Sequence, residues 1–298
     1  TVGGGRCVEE PGLTWAVVAL PLSMAIAIAS HVPPERGLYT AIGGGFLISA
    51  LGGSRFQIGG PAGAFIVLMA NTVDVHGVDG LLIATLMAGV IIFLIGALKL
   101  GTYIKYVPHA VTVGFTAGIA VIIFASQIKE LLGLTLAGPE PAALVPKLAT
   151  LWGALPSFNA AAAGVALGSA LVIVALRKLR PHWPGFLIAV ALAALAVQAL
   201  GRGTETIASR FGGIPRSLPL PALPPGITPE RLIALLPTAI AIAMLGSIES
   251  LLSAVGADSL TGRRHRSKME LGAQGIANCF SAPFAGVAAT GTIAPPCL

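Results

Sequence analysis

"SRFQIGGPAGAFIVLMA", residues 54–70, decides how the chain is read. An apolar run starts, breaks at Gly59-Gly60-Pro61, and resumes through Ala64, Phe65, Ile66, Val67 and Leu68. Glycine weakens a helix and proline removes a backbone donor. The interruption falls where the chain is about to be most apolar. Unpaired backbone cannot face lipid, so such a break survives only where protein buries it or where it lines a wet cavity.

Lipid enters the reading because of composition. The 298 residues are 55% hydrophobic and 10% charged, with a mean hydropathy of +0.88. A soluble domain carries roughly 25% charged residues. Too few charges remain to coat a soluble surface, so the class is a polytopic membrane protein. The net charge of +6 is then a question of where the charges lie, not a nucleic-acid footprint. Cys7, Cys279 and Cys297 form no CxxC and no Cys/His metal spacing, and no disulfide framework follows. The first apolar run, from about Gly12, is too long for a leader and lacks a small-residue cleavage site, so it reads as a span.

A spanning helix needs about 20 apolar residues. Candidate segments are 12–30, 37–53, 62–73, 80–98, 108–127, 158–176, 184–200, 232–254, 271–282 and 288 onward. Those at 62–73 and 271–282 are short, leaving at most eight of full or nearly full length. The Pro-rich stretch 201–230 reads as an exposed linker between two halves. Basic clusters stand at Lys99 with Lys105, at Arg177-Lys178 with Arg180, and at Arg263-Arg264 with Arg266 and Lys268; Arg55 joins them. With the first span running inside to outside, all four groups fall on the cytoplasmic side. "GRRHRSK", residues 262–268, is thus first a topology signal, with lipid or nucleic-acid binding as the lesser reading.

A helix opening after Pro61 would present free N–H groups and a positive dipole end in mid-membrane. That is an anion seat made without a cationic side chain. The bland alternative is a kink packed on small residues. "SAPFAGVAATGTIAPP", residues 281–296, repeats the design: Pro283 and Gly286 break a run, and Ala289, Thr290, Gly291 and Thr292 open another. Two interrupted segments in corresponding positions of two halves point to a transporter site. Glu249 is a third sign, an acid well inside an apolar run, and such residues usually face a cavity or an ion path. Ser253, four residues on, shares its helix face. The pair would hold Na⁺ or a proton; the alternative is a structural Glu bonded across helices. Gln274 and Asn278, also four apart, read as packing glue rather than ligand contacts. No HExxH, GxSxG or GxxxxGK[ST] is present, and no enzyme is indicated.

Several stretches are familiar together. "ALPLSMAIAIASHVPPERGLYTA", "GGSRFQIGGPAGAF", "VTVGFTAGIAVII" with "SQIKELLG", and "SIESLLSAVGADSLTG" followed by "ELGAQGIAN" resemble the SulP (sulfate permease / solute carrier 26) anion transporters. The resemblance covers about residues 12–294, and "MLGSIESLLSA" with "GGSRF" is most similar to the bacterial dicarboxylate carriers. It implies an all-α fold of two inverted seven-span repeats, with a core domain moving against a gate domain. It implies that half-helices meet at the substrate, opened by Ala62, Gly63 and Ala64 and by Thr290, Gly291 and Thr292, with Leu22 and Ile26 of the first span beside them. Glu249 and Ser253 match positions where a bicarbonate-carrying relative binds Na⁺ through Asp and Thr; Glu makes a proton an equal candidate.

Carried along the chain, the resemblance gives an N-terminal tail (1–11), core-domain spans 1–4 (12–105), gate-domain spans 5–7 (106–200), the linker, and the start of the second repeat (231–298). The family pattern continues after "ATGTIA" with Arg-Thr and further spans, whereas this chain reads Pro295-Pro296-Cys297-Leu298. The expectation is therefore a fragment lacking the last four spans and the cytoplasmic STAS domain. The expected activity is secondary transport of sulfate, bicarbonate or a dicarboxylate, coupled to H⁺ or Na⁺, by alternating access. No cofactor is expected beyond that coupling ion. The expected setting is a bacterial inner membrane, with lipid and a small anion as partners, a homodimer when the chain is complete, and no nucleic acid. Two other readings stand beside it: a nucleobase:cation symporter of the same architecture, which a carboxylate pair in the later half would favour where only Glu249 is present, and a non-transporting membrane fragment.

Overall fold

The computed structural model describes residues 19–101, 109–138, 140–141, 143–180, 183, 185–200, 209, 211–213, 217–262 and 264–293. The N-terminal tail, the start of the first span, Lys105, Arg263, most of 201–216 and the closing "APPCL" lie outside the described residues. What is described falls into two compact units, one within Ala19–Ile119 and Pro215–Leu298, the other within Ala120–Ile214.

The first unit opens with α1 (Ala19–Ala29). Next, α2 (Pro34–Tyr39) runs through one π-helical turn, Thr40–Gly44, into α3 (Gly45–Leu51). The strand β1 (Gln57–Pro61) follows, then a 3₁₀ turn at Gly63–Phe65, then α4 (Ile66–Ala97). α4 thus holds the segments expected at 62–73 and 80–98 as two helical stretches. It is interrupted at Gly77, whose φ of 72° and ψ of 177° break the helix where a side chain would be strained. A break frees a carbonyl, and Arg231 answers it: its Nη2 donates to the His76 oxygen at 3.2 Å.

After α5 (His109–Leu132), the other unit holds α6 (Leu144–Gly153), α7 (Ala160–Leu179) and α8 (Gly185–Leu200). The Asn159 side chain caps α7, accepting from the N–H groups of Ala161 and Ala162 at 3.0 and 3.3 Å. In the first unit, α9 (Pro229–Thr261) starts with Thr228 as N-cap and Pro229 behind it, and ends on left-handed Gly262. Then come α10 (Ser267–Ser281) and β2 (Ala289–Ile293). Among the described residues three helices are long and apolar enough to cross a membrane, in Gly63–Ala97, Ala160–Leu179 and Pro229–Ser259; Ala19–Ala29 and Gly185–Gln198 are shorter apolar helices.

One expectation is overturned. The segment from 288 onward opens not as a helix but as a strand, so the first unit is helical with a two-stranded sheet. β1 and β2 pair antiparallel, with Gly59 opposite Gly291 and Pro61 opposite Ala289. The physical reason lies in the breakers. Helix cannot run through Gly59-Gly60-Pro61 or past Pro283, and each backbone group left bare costs several kcal/mol in a dry interior. Two interrupted segments lying side by side satisfy each other.

Side chains finish what the short ladder leaves. Asn278 offers Ala289 a second strand edge: its Oδ1 accepts from the Ala289 N–H at 2.8 Å, and its Nδ2 donates to the Ala289 oxygen at 2.8 Å. Thr40 Oγ1 accepts from the Val287 N–H at 2.7 Å, and Ser281 Oγ donates to the Val287 oxygen at 2.9 Å. Beneath them α10 lies hard on α4. A Cβ on Gly89 would stand 2.7 Å from the Cys279 nitrogen, and one on Gly96 2.9 Å from the Gly272 nitrogen. Small residues let membrane helices approach this closely.

Asn278→Ala removes both bonds to Ala289 and leaves a buried N–H and C=O bare. The expected loss is about 2–4 kcal/mol, read as a lowered thermal midpoint of the detergent-solubilised chain. Unchanged stability would mean that the segment is held by the ladder alone.

Candidate functional site

The entrance to α4 is built from its sequence. Pro61 closes β1, and Ala62 remains extended (φ −117°, ψ 146°) while Gly63–Phe65 tighten into the 3₁₀ turn. The first N–H groups of a helix have no partner within it. Ala62 and Phe65 are buried, and Gly63 and Ala64 are half-buried, so this helix start lies largely out of solvent; the Phe65 N–H is taken by the Ala62 oxygen at 3.1 Å.

β2 lies against that entrance. Thr290 pairs with Gly60, is fully buried, and its Oγ1 donates to the Gly246 oxygen of α9 at 3.4 Å. Gly246 in turn faces the Phe65 ring, 3.1 Å from where its Cβ would be. Thr290, Gly246 and the start of α4 therefore converge. Thr292 stands two positions along the strand and donates to the Ile58 oxygen at 3.3 Å, away from the α4 entrance. The three residues Thr290, Gly291 and Thr292, expected at the start of a helix, all lie in extended backbone. On α1, Ile26 is buried while Leu22, one turn earlier, is 48% exposed.

Glu249 lies one turn beyond Gly246 on α9, with Ser253 one turn further. Both are half-buried. Glu249 Oε2 is shielded from solvent and has no hydrogen-bond partner among the described residues, and neither has the Ser247 hydroxyl. A structural Glu bonded across helices would use that oxygen. Its freedom suits a group that receives a proton or a cation. Among the described residues no group of three or more His, Cys, Asp or Glu side chains could hold a metal.

Sequence reasoning missed the other buried carboxylate. Glu270 is fully buried, and both its oxygens are used. Oε2 accepts from the N–H groups of Gly53 and Ser54 at 2.9 and 3.2 Å. Oε1 accepts from Ser250 Oγ at 3.0 Å and Gln274 Nε2 at 3.1 Å. Gln57 Nε2 adds a bond to the Ser250 oxygen at 2.7 Å. The signal was present: Gln274 and Asn278 stand four apart, and four residues earlier on the same face is Glu270. Its neighbours in "RRHRSKMELG" made it look like part of a solvated basic stretch. Gly291 covers this cluster, since a Cβ there would lie 2.7 Å from Gln274 Nε2 and 3.2 Å from Glu270 Oε1.

Interrupted segments paired inside an apolar helical unit, beside a carboxylate with a free oxygen, define a polytopic helical membrane protein. Comparison with known proteins makes the class specific. The chain belongs to the sulfate permease family, whose pattern matches residues 11–295. It is similar to YvdB of Bacillus subtilis, provisionally named a sulfate transporter, with 43% identity over 95% of this chain and 53% of that protein. It is 32% identical to the bicarbonate transporter BicA of a Picosynechococcus strain, over 94% of this chain and 50% of that protein. The transmembrane domain of a cyanobacterial BicA superposes with a TM-score of 0.78 at 29% identity, covering 96% of this chain and 74% of that one. Murine Slc26a9 in its inward-facing state shares the fold, with a TM-score of 0.79 at 19% identity over 95% of this chain and 51% of that one. The chain spans about half the length of the curated relatives it matches. Family members are transporters, not enzymes, and the chain is a multi-pass protein of a bacterial membrane.

Gly291→Ala drives a methyl into the Gln274 amide, whereas Gly60→Ala enters open space. The first is expected to destabilise by about 1–3 kcal/mol and the second by less than about 0.5 kcal/mol. Thermal midpoints of the two variants, measured side by side, check the difference.

Proposed function

We propose that this chain forms the substrate-binding part of a secondary anion carrier working by alternating access. The observation that carries the reading is the start of α4, opening inside the bundle against β2 and beside Thr290. Backbone N–H groups at such a helix end, in a region of low dielectric, hold an anion without a cationic side chain. Ala62, Gly63 and Ala64 supply the seat, and Thr290 of β2 stands opposite it. Leu22 and Ile26 flank the path to it. Glu249, with Ser253, carries the coupling H⁺ or Na⁺. Neutralising Glu249 as the anion arrives would remove a repulsion between like charges. In this reading spans 12–105 and the segment from 231 form the moving core, spans 106–200 the gate, and the complete chain works as a homodimer.

The relatives' names point to sulfate and bicarbonate; the resemblance of "MLGSIESLLSA" and "GGSRF" adds a dicarboxylate. A seat made of backbone donors does not choose among them by side chain. Proteoliposomes holding the chain continued to the length of its relatives would decide. Uptake of labelled sulfate, bicarbonate and succinate is measured with and without an H⁺ or Na⁺ gradient. Gradient-driven uptake of one anion, not displaced by uracil, supports the reading. Displacement by uracil would support the nucleobase carrier instead, and absence of all uptake by a folded chain would leave the non-transporting reading. A nucleobase site would use a pair of free carboxylates, and Glu270 does not complete such a pair because both its oxygens are engaged.

Glu249→Gln is expected to abolish the gradient dependence of uptake while anion binding stays measurable. Retention of full coupling would make Glu249 structural. Gly63→Val is expected to weaken anion binding at least about tenfold by closing the approach to the backbone donors, and unchanged affinity would move the seat elsewhere.

A further inference from the structure

At the end of the first unit that carries Arg55 and the "GRRHRSK" cluster, a cavity of about 480 Å³ opens between the β1 approach and the α9–α10 connection. Gly52, Gly53 and Ser54 line it together with Arg55, Arg264 and Arg266. All three arginines are exposed, and among the described residues none has an ion-pair partner. The one carboxylate among the lining residues, Asp258, has its Oδ2 engaged: it meets His265 Nδ1 at 2.7 Å and accepts from the His265 N–H at 3.1 Å. His265 Nε2 then meets Ser267 Oγ at 2.9 Å, so the ring is fixed from both sides. Arg266 is the N-cap residue of the 15-residue helix α10, which has no side-chain cap, and Met269 of its first turn lines the cavity too.

We infer that this cavity binds a phosphate group, gripped by Arg55, Arg264 and Arg266 at the mouth of α10. Three guanidinium forks match the tetrahedral oxygens in paired hydrogen bonds, and the helix end adds positive potential. The positive-inside tendency explains why basic residues lie on this side of the membrane. It does not explain why three of them line one cavity whose single lining carboxylate is already bonded to His265. The volume suits a small headgroup rather than a single ion. Phosphate reaches this depth from two sources, a lipid headgroup or a soluble phosphate. Phe56 and Met269 line the same cavity and give an apolar edge that a lipid's glycerol end would use.

The test uses the purified full chain in phosphatidylcholine nanodiscs. One arm titrates phosphatidate into the discs; the other adds inorganic phosphate from solution. The triple variant Arg55→Gln/Arg264→Gln/Arg266→Gln is compared with Arg177→Gln/Lys178→Gln, exposed basic residues of the other unit. Saturable binding weakened at least about tenfold by the triple variant, and less than about twofold by the control, is the expected result. Its appearance in the phosphatidate arm alone identifies a lipid as the source; its appearance with inorganic phosphate identifies a soluble one. Thermal midpoints confirm that both variants are folded. The proposal is overturned by non-saturable binding, by equal loss in both variants, or by binding that survives the triple variant and so resides elsewhere, such as the anion seat. Uptake of the transported anion by the triple variant is read separately, so failure here leaves the carrier reading untouched.

Discussion

Everything in the described core follows from one constraint: backbone polar groups in a dry, lipid-surrounded interior must be paired. A continuous helix meets it unaided. A helix broken by Gly59-Gly60-Pro61 does not, and neither does one broken after Pro283. The fold answers by laying the two broken segments together as β1 and β2 and packing them against α3, the Thr40–Gly44 turn, α9 and α10. Where the ladder ends, Thr40, Ser281 and Asn278 replace a third strand with side-chain bonds. The interruption therefore rests on a dense set of contacts, and the start of α4 is held in place by them.

The same pairing explains the distribution of polar side chains. Glu270, Ser250, Gln274 and Gln57 lie on one side of β2 and close on one another through short bonds. Among the described residues Glu249 and Ser247, on the same helix as Ser250, keep atoms without partners, as do Gln57 Oε1 and Gln274 Oε1 at the edge of the cluster. One buried carboxylate is spent on structure and the other is left free. Burial alone does not separate them, since the fully buried one is the structural one. The number of donors each carboxylate meets does.

Much of this was legible in the sequence. The breakers at Gly59–Pro61 and near Pro283, the apolar runs, the intramembrane Glu249 and the family motifs each follow from local patterns. The pairing of the breakers was not legible, because a five-residue strand such as "ATGTI" carries no alternation that separates it from the first turn of an apolar helix. Only its partner, 228 or more residues away in the Pro61↔Ala289 register, makes it a strand. Glu270 was hidden for the opposite reason: its neighbours in sequence are basic and polar, while its neighbours in space are the interior faces of α3 and α9. The run from Ile66 to Ala97 was divided correctly in its hydropathy, but the divider is the backbone angle at Gly77 rather than any polar residue.

The tight fit of Gly291 also bears on how the ladder forms. A slip of β2 by one residue would carry Thr290 or Thr292 to the place where even a methyl group meets the Gln274 amide at 2.7 Å. Side chains in a strand alternate faces, so the slip would also turn the threonine hydroxyls towards the Glu270 cluster and away from Gly246. Mispaired ladders are thus rejected by steric exclusion at a single glycine, and a two-stranded sheet too short to fix its own alignment acquires a unique one.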